Sequence, residues 1–303
     1  MVLNIMKVYI VGHKGWIAQM YIEQFDQMKI EYTYSDFRGE SDEIKQDILK
    51  QKPSHILCCM GRTHGTFNGV EYNTIDYLEN PGTLVENMND NLYVPLSLAL
   101  FAKEKSIHFT YMGTGCIFSY KDGIFSYEYD TNVLSTKALA GITESTNPNF
   151  FGSNYSIVKG YTDMLMRNTD ALVLRIRMPI THKNHPRNFI TKILNYKKIC
   201  SMPNSMSVLD SLIPVSIEMM YAQEIGCYNF TNPGYIDHNS ILVLYRNYID
   251  PNFTWENFSI EEQSQVLKGA RSNNILSTVK LEKYYKIDTI EEAMEKVFKT
   301  WVK

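Results

Sequence analysis

The chain has 303 residues, of which 44% are hydrophobic and 21% charged, a composition typical of a globular protein rather than a disordered one. Its 30 basic residues nearly balance its 33 acidic residues, which disfavours nucleic acid as a partner. The best apolar run, residues 93–102, is far shorter than the about 18 residues of a membrane helix. Five cysteines without paired spacing predict neither a disulfide framework nor a metal site. We therefore expect a cytoplasmic α/β protein of enzyme size, with no nucleic-acid or membrane partner.

Short apolar runs alternate with helical segments through the first 178 residues. The predicted strands are rich in β-branched residues or apolar throughout, and they span residues 7–11, 30–34, 55–60, 107–112 and 171–177. The predicted helices span residues 16–28, 41–51, 80–105 (broken near Pro95) and 151–168. This alternation predicts a Rossmann-type, doubly wound parallel sheet.

The pattern is less regular after Met178. Residues 203–210 and 229–234 predict loops or edge strands, and residues 259–268 and 290–299 predict helices. We expect a Rossmann domain over residues 1–178 that carries the catalytic residues. A smaller α/β part over residues 179–303 is expected to bind substrate, with some exchange of chain between the two.

A glycine-rich turn follows the first predicted strand and begins a helix. Its residues are Gly12, His13, Lys14, Gly15, Trp16, Ile17 and Ala18. Glycines let the backbone approach a pyrophosphate closely, and the helix N-terminus supplies N–H donors. The spacing is GxxGxxA rather than GxGxxG. The turn therefore predicts a dinucleotide cofactor, with Gly12, Lys14, Gly15, Trp16 and Ile17 in contact with it.

The end of the second strand predicts which nicotinamide cofactor is bound. Asp36 suits the ribose 2′-hydroxyl of NADH, whereas Ser35 and Arg38 suit the extra phosphate of NADPH. We favour NADPH, and NADH remains the alternative. Asp47 and Ile48, just before the third strand, are expected beside the adenine. Gly61, at the end of that strand, is placed in the same cofactor site.

Tyr155 and Lys159 stand four residues apart on one face of a predicted helix. A nearby ammonium favours the phenolate, so we expect Lys159 to lower the pKa of Tyr155 and to hold the nicotinamide ribose. Thr114 ends the preceding strand and Asn91 lies in the long helix before it. The glycine turn, Asn91, Thr114 and Tyr155-x-x-x-Lys159, in this order, form the active-site set of the extended short-chain dehydrogenase/reductase group.

Six further motifs carry a closer resemblance that extends over nearly the whole chain. They are Met112–Phe118 (MGTGCIF), Asn149–Ser153 (NFFGS), Arg175–Ile180 (RIRMPI), Pro186–Lys192 (PRNFITK), Pro203–Met206 (PNSM) and Arg271–Asn274 (RSNN). With these motifs the chain resembles the nucleotide-rhamnose synthase/epimerase-reductase family. The resemblance implies conversion of UDP-4-keto-6-deoxy-D-glucose to UDP-L-rhamnose with NADPH. It also implies that Cys116 and Lys192 are the epimerisation pair, and His182 and His185 compete with Lys192 as the acid.

The nucleotide end of the substrate is expected in the C-terminal part. Arg271 is the best diphosphate clamp, because guanidinium binds phosphate bidentately. Asn188 suits a diphosphate or sugar contact, and Arg62 and Thr63 are placed near the sugar. We also expect a homodimer, formed by the helices within residues 91–105 and 151–168.

Three other functions compete with this prediction. A sugar-nucleotide 4,6-dehydratase needs an acidic pair after the catalytic Thr, where this chain has Gly115 and Cys116. A plain 4-reductase without epimerase activity is the closer rival, and a non-catalytic NADP-binding subunit is the third. The stretch between Cys116 and Tyr155 is longer than expected, so the loop over the site is expected to differ from that of the family.

Overall fold

A six-stranded parallel sheet forms the centre of the protein, as seen in a computed structural model that describes residues 6–39, 41–120 and 141–302. Its strands are β1 (Lys7–Val11), β2 (Glu31–Tyr34), β3 (His55–Cys58), β6 (His108–Thr114), β7 (Leu172–Ile176) and β8 (Gly226–Asn229). Their order across the sheet is β2-β1-β3-β6-β7-β8. The predicted doubly wound Rossmann-type sheet is therefore confirmed. The long segment between Cys116 and Tyr155 falls in part on residues 121–140, which lie outside the described residues.

Successive side chains of the strands point to opposite faces of the sheet and pack into two apolar layers. In β1, Val8 and Ile10 pack with α1 (Trp16–Met28) and α7 (Leu209–Tyr221), while Tyr9 and Val11 pack on the other side. That other side is covered by α2 (Asp42–Gln51) and α4 (Val94–Glu104). β3 is buried along its whole length, as its continuous apolar run predicts.

The long helical segment predicted between the third and fourth strands of the sequence is in fact three pieces. They are α3 (Leu84–Met88), a single π-helical turn (Asn89–Tyr93) and α4. Pro95 lies near the start of α4, which continues directly from the π-helical turn, and the Asn91 carbonyl four residues before it accepts from the Thr162 hydroxyl instead of from a backbone N–H. A short antiparallel hairpin, β4 (Gly65–Phe67) with β5 (Val70–Tyr72), precedes these helices and was not predicted.

The chain returns to the sheet after residue 178. Helix α7 begins inside the segment predicted as a loop or edge strand, and β8 pairs with β7 in parallel. The proline inside α7, Pro214, makes this helix hard to predict from its sequence. The proposed division at residue 178 stays a prediction, although β8 and α7 lie beyond it.

The remaining C-terminal elements form a separate apolar cluster. The helices of this cluster include α6 (Phe189–Leu194), α8 (His238–Tyr248) and α11 (Ile290–Lys299). Helix α5 (Asn154–Met166) does not belong to it and packs beside the sheet. Short helices α9 (Ile260–Ser264) and α10 (Val279–Glu282) complete the part of the chain that is described. Within the described ranges, no helix is both long and apolar enough to cross a membrane.

Candidate active site

A cavity of about 1770 Å³ opens at the edge of the sheet where the strands end. The segments that follow β1, β3, β6 and β7 all contribute to its wall, together with α5, α6 and the loop before α6. Ligands of open α/β sheets bind at this edge, because the loops there diverge. Of the predicted site residues, the following line the cavity: Lys14, Gly15, Trp16, Ile17, Gly61, Thr63, Asn91, Thr114, Cys116, Tyr155, Lys159, Lys192 and Arg271.

The turn after β1 has the shape that a pyrophosphate needs. Gly12 has φ +80°, and a Cβ there would lie 3.2–3.3 Å from the backbone of Cys59 and Met60. Only glycine suits both the conformation and the close approach. Gly15 precedes α1 without a side-chain cap, so the first N–H groups of this thirteen-residue helix stay open toward the cavity. The turn therefore fits a dinucleotide.

The predicted 2′-phosphate and adenine residues lie beyond this turn, at the end of β2. Asp36 pairs with Lys14 at 2.6 Å, and both side chains are exposed. Ser35 and Asp47 both hydrogen-bond to the hydroxyl of Tyr9, each at 2.7 Å. Ile48 is completely buried in the sheet layer beneath them, so it supports the site from below rather than lining it.

Thr114, Tyr155 and Lys159 come together at the end of β6. Ser153 caps α5 by accepting from the Ser156 N–H, and this cap begins the helix that carries Tyr155 and Lys159. The Cys116 N–H donates to Thr114 Oγ1 at 3.0 Å. The Thr114 hydroxyl also faces Tyr155 and acts to lower the pKa of its phenol.

The expected lowering of the Tyr155 pKa by Lys159 is wrong for this state of the protein. Burial raises the pKa of Tyr155, the nearby Cys116 raises it further, and the Thr114 hydrogen bond only partly opposes them. Lys159 is instead hydrogen-bonded to the hydroxyl of Tyr111, and its Nζ lies 4.5 Å from that ring. Burial lowers the pKa of Lys159 to about 8. Tyr155 is therefore held as a neutral phenol, which is a proton donor.

The two predicted epimerisation residues reach the same cavity from different elements. Cys116 follows β6 and packs against Tyr77 and Tyr155. Lys192 lies on α6, where burial, Arg187 and Arg271 together lower its pKa to about 8. Lys192 is therefore mostly an ammonium at neutral pH, yet it loses its proton far more readily than an ordinary lysine.

The competing histidines are held by other groups. His182 Nδ1 lies 3.1 Å from the Asp210 carboxylate, and the backbone N–H of His182 donates to the same carboxylate. The His185 ring stacks on Trp16 with centroids 5.1 Å apart, and its Nδ1 accepts from the Arg187 N–H. Both line the cavity, but neither approaches Cys116 or Tyr155 through a described contact.

Asn91 acts on the backbone of the loop after β3. It lies in the π-helical turn, accepts from the Arg62 N–H at 3.0 Å and donates to the Arg62 carbonyl at 2.9 Å. Gly61 leaves room for the Asn91 amide to make these two bonds, because a Cβ at position 61 would lie 3.1 Å from the Asn91 side chain. The Arg62 guanidinium itself pairs with Asp90 at 2.6 Å and does not line the cavity.

The predicted substrate residues divide into two groups. Arg271 and Thr63 line the cavity, and Arg271 is paired with Asp76 at 2.5 Å. Asn188 is completely buried and does not line it. Its amide accepts from the Ile190 N–H as the cap of α6 and donates to the carbonyls of Thr181 and Lys183. Asn188 therefore orients α6, and Lys192 with it, rather than contacting substrate.

Several residues of the site were not singled out from the sequence. Arg187 lines the cavity and donates to Thr63 at 3.5 Å, and Tyr111 holds Lys159. Arg177 lies fully buried behind Cys116. Arg177 and Arg187 lie within two of the family motifs quoted above, and those motifs were the sequence signal that could have identified them as site residues. Nothing in the pattern around Tyr111 distinguishes it from an ordinary strand residue.

The sheet order, the glycine turn and the grouping of Thr114, Tyr155 and Lys159 define an extended short-chain dehydrogenase/reductase. No family model matches the chain. An uncharacterized protein of Acanthamoeba polyphaga mimivirus is 48% identical, over 92% of this chain and 93% of its own length. The crystal structure of the UDP-rhamnose synthase of that virus is 46% identical, with a TM-score of 0.90 over 97% of this chain and 99% of that one.

A plant relative extends the comparison. The bifunctional dTDP-4-dehydrorhamnose 3,5-epimerase/dTDP-4-dehydrorhamnose reductase of Arabidopsis thaliana is 40% identical, over 95% of this chain and 90% of its own length. The chain belongs to this nucleotide-rhamnose epimerase-reductase family.

Replacing Asn188 tests its assignment to the fold. Asn188→Ala removes a helix cap and two buried bonds to backbone carbonyls, so the free energy of unfolding should fall by about 1–3 kcal/mol. Denaturant titration measures this change. The matched control is Asn168→Ala, an exposed asparagine near the end of α5, which should change stability by less than about 0.5 kcal/mol. An unchanged stability for Asn188→Ala, with a raised KM for substrate, would return Asn188 to the substrate site.

Proposed function

We propose that the protein is a bifunctional 3,5-epimerase/4-reductase that converts UDP-4-keto-6-deoxy-D-glucose to UDP-L-rhamnose with NADPH. The observation that carries this proposal is the single cavity shared by Thr114, Tyr155, Cys116 and Lys192. The first two are a reductase pair, and the last two add proton transfer at carbon. Family membership supports the same conclusion, since relatives named for both activities match nearly the whole chain.

NADPH fits the end of the cavity formed by the glycine turn. The open N–H groups of α1 would hold the pyrophosphate, and Lys14, Ser35 and Arg38 would hold the 2′-phosphate. Lys159 and Tyr155 would hold the nicotinamide ribose. When bound, NADPH supplies the hydride for C4 of the sugar. Pairing of Asp36 with Lys14 favours NADPH over NADH, because it occupies the carboxylate that would otherwise bind a free 2′-hydroxyl.

The reductase step needs a proton at O4 as the hydride reaches C4. Tyr155, held as a phenol by burial, donates that proton, and the Thr114 hydroxyl stabilises the negative charge that develops on O4. Lys159 is bonded to Tyr111 in the free protein, so the Thr114 hydroxyl is the described group that favours the phenolate once the proton has left.

The epimerase steps use the same oxygen. The carbonyl at C4 acidifies the protons on C3 and C5. Cys116, as the thiolate, removes a proton from carbon, and the electron pair of the C–H bond moves into the enolate at O4. Thr114 and Tyr155 stabilise this enolate, and Lys192 returns a proton to the other face of the ring. Cys116 is then a thiol and Lys192 an amine, and exchange with water restores both.

The uridine diphosphate is placed at the basic end of the cavity. Arg271, Arg187 and Lys192 face it with positive charge, and their mutual repulsion in the free protein contributes to the lowered pKa of Lys192. A diphosphate neutralises that repulsion. The dTDP-linked ketone carries the same diphosphate, so a parallel assay with that substrate determines whether the protein prefers uridine or thymidine as the nucleoside.

Product analysis tests the proposal. Wild-type protein mixed with UDP-4-keto-6-deoxy-D-glucose and NADPH should yield UDP-L-rhamnose. Without NADPH and in D2O it should incorporate deuterium at C3 and C5. Cys116→Ser should lose that exchange, because serine is a far weaker base than a thiolate, by about 10²-fold or more. The same variant should still oxidise UDP-L-rhamnose with NADP, which needs no epimerisation.

Three results would contradict these assignments. Deuterium exchange by Cys116→Ser at the wild-type rate would remove Cys116 as the base. Reduction without any exchange in the wild-type protein would favour the plain 4-reductase. Failure to oxidise NADPH with any 4-keto-6-deoxy sugar nucleotide would favour the non-catalytic NADP-binding subunit.

The pH dependence tests Lys192 as the acid. The kcat/KM for C3/C5 exchange reports the free enzyme and should fall as the pH rises through about 8, because Lys192 loses the proton that it donates. Arg187→Gln removes one of the cations that lower the pKa of Lys192, so this alkaline limb should move to higher pH. The pKa of Lys159 is also near 8, but Arg187 is not among its causes. If the alkaline fall of kcat/KM stays at the same pH in Arg187→Gln, that fall is assigned to Lys159 rather than to Lys192.

We further propose a homodimer formed through an exposed apolar surface on α3, α4 and α5. Its residues include Val85, Met88, Tyr93, Leu100 and Leu165, which enclose a shallow, mostly apolar depression. An exposed apolar surface of this kind on adjacent helices is typical of a subunit contact.

A charged substitution tests the dimer. Light scattering should give twice the chain mass for the wild-type protein and a single chain mass for Leu100→Glu, since the charge would be buried at the contact. Val279→Glu, at an equally apolar exposed position outside this surface, is the matched control and should remain a dimer. A monomeric wild-type protein would dismiss the proposal.

We also propose that the protein acts in the cytoplasm. All five cysteines are free thiols, and the epimerase steps need Cys116 reduced. A reducing compartment keeps such thiols available.

A further inference from the structure

Two arginines at the end of β7 are completely buried, and they have opposite surroundings. Arg175 forms a double hydrogen bond with Asp163, both bonds at 2.7 Å, and is held in an ordinary buried ion pair. Arg177, two residues later, points to the end of β6. The side chain of Arg177 is equally buried, yet no carboxylate of the described residues lies within ion-pair distance of it.

Neutral groups and one thiol surround the Arg177 guanidinium. Nη1 donates to the Gly115 carbonyl and to Ser272 Oγ, each at 3.0 Å, and Nη2 donates to Asn204 and to the Ser272 carbonyl. Nε has no hydrogen-bond partner among the described residues. A buried guanidinium without a counter-charge is costly, so this arrangement calls for a negative charge close by.

The Cys116 sulfur is the group placed to carry that charge. Arg177 Nη1 lies 3.8 Å from Cys116 Sγ. Gly115 makes the approach possible, because a Cβ there would lie 2.9–3.0 Å from the Arg177 side chain. The backbone of Cys116 is fixed at both ends, its N–H by Thr114 and its carbonyl by Ser156 at 2.8 Å. The sulfur is therefore held against the guanidinium by the fold itself.

We infer that Arg177 is a positioning residue that stabilises Cys116 as the thiolate needed for proton abstraction at C3 and C5. This inference rests on the proposed function, in which Cys116 is the base. Ionisation of Cys116 gives Arg177 the counter-charge that its site lacks, and the lost proton goes to water. Abstraction from carbon then returns a proton to the sulfur, and Arg177 again faces a neutral thiol. The cycle needs no oxidant or further reactant.

Other titratable groups face this pair from every side. Tyr155 and Lys159 on α5 interact electrostatically with Cys116, and Tyr120 and His238 interact with Arg177. Lys159 is a further buried cation near Cys116, but its ammonium is bonded to Tyr111. Of the described cations, Arg177 is the one with a hydrogen bond to the sulfur.

Alkylation of Cys116 by iodoacetamide, followed by mass spectrometry of its peptide, measures the thiolate in the full-length protein. Arg177→Met should slow alkylation at pH 7 by about tenfold, which corresponds to a shift of about one pH unit, toward higher pH, in the curve of alkylation rate against pH. At pH 10 its rate should equal the wild-type rate. Arg177→Lys keeps the charge and should fall between the two. Deuterium exchange at C3 and C5 should decline in parallel, whereas oxidation of UDP-L-rhamnose with NADP should be retained.

Two further variants complete the experiment. Arg175→Lys is the matched control, at an equally buried arginine two residues earlier in the chain, and should leave the dependence of the alkylation rate on pH unchanged. Asn204→Asp is nearly isosteric and gives Arg177 a carboxylate partner, so it should slow alkylation at pH 7 in the same direction as Arg177→Met. If Arg177→Met fails to bind NADPH, and so has not folded, Asn204→Asp decides the question.

The outcomes separate the inference from the proposed function. If Cys116→Ser loses exchange while Arg177→Met and Asn204→Asp keep the wild-type alkylation profile, the inference is overturned and the proposed function stands. If Cys116→Ser keeps exchange, the base assignment fails, and the inference fails with it. Parallel losses of alkylation and exchange in Arg177→Met and Asn204→Asp, with the Arg175→Lys profile unchanged, support the inference.

Discussion

The hydrogen bond from the Cys116 N–H to Thr114 Oγ1 determines the chemistry of the whole site. It ties the Thr114 side chain to the backbone of the segment after β6, and the Thr114 hydroxyl faces Tyr155. The same bond holds the backbone of Cys116, two residues later, where its sulfur lies 3.8 Å from Arg177 Nη1. One contact at the end of one buried strand therefore links the two residues proposed here as oxyanion donor and carbon base.

Burial sets the proton affinities of the groups around that bond. It raises the pKa of Tyr155 and lowers that of Lys159 and Lys192, each to about 8, because a site withdrawn from water disfavours charge of either sign. The tyrosine is consequently an acid, and Lys192 is an ammonium that releases its proton near neutral pH. A substrate that closes the cavity strengthens every one of these interactions, since it removes the remaining water.

Much of this site follows from local sequence. Gly12 and Gly15 after an apolar strand, and Tyr155 with Lys159 one helical turn apart, are patterns whose geometry is fixed within a few residues. The parallel sheet through β7 follows in the same way from alternating strands and helices. Helix α7 and strand β8 do not, because Pro214 interrupts the helix pattern and Gly226–Asn229 is only four residues long.

The contacts of individual residues that the sequence did not predict have a common cause. The role of Asn188 depends on carbonyls at Thr181 and Lys183, and that of Arg62 on Asp90, which only the folded chain brings near. The pKa of Tyr155 depends on burial and on Cys116, 39 positions away in sequence, rather than on the lysine one turn along its own helix. Spacing predicts which side chains share a face, but long-range packing decides what each of them contacts.

The mutual effect of Cys116 and Tyr155 explains how one pocket serves two reactions. A negative charge on Cys116 raises the pKa of Tyr155, so the thiolate and the phenolate disfavour each other. In the proposed epimerase steps, the charged sulfur would keep Tyr155 protonated while it supports the enolate oxygen. In the proposed reduction, a neutral sulfur would let Tyr155 release its proton to O4 more easily. Under this mechanism, the electrostatic repulsion between the two neighbouring acids would assign Cys116 to carbon and Tyr155 to oxygen.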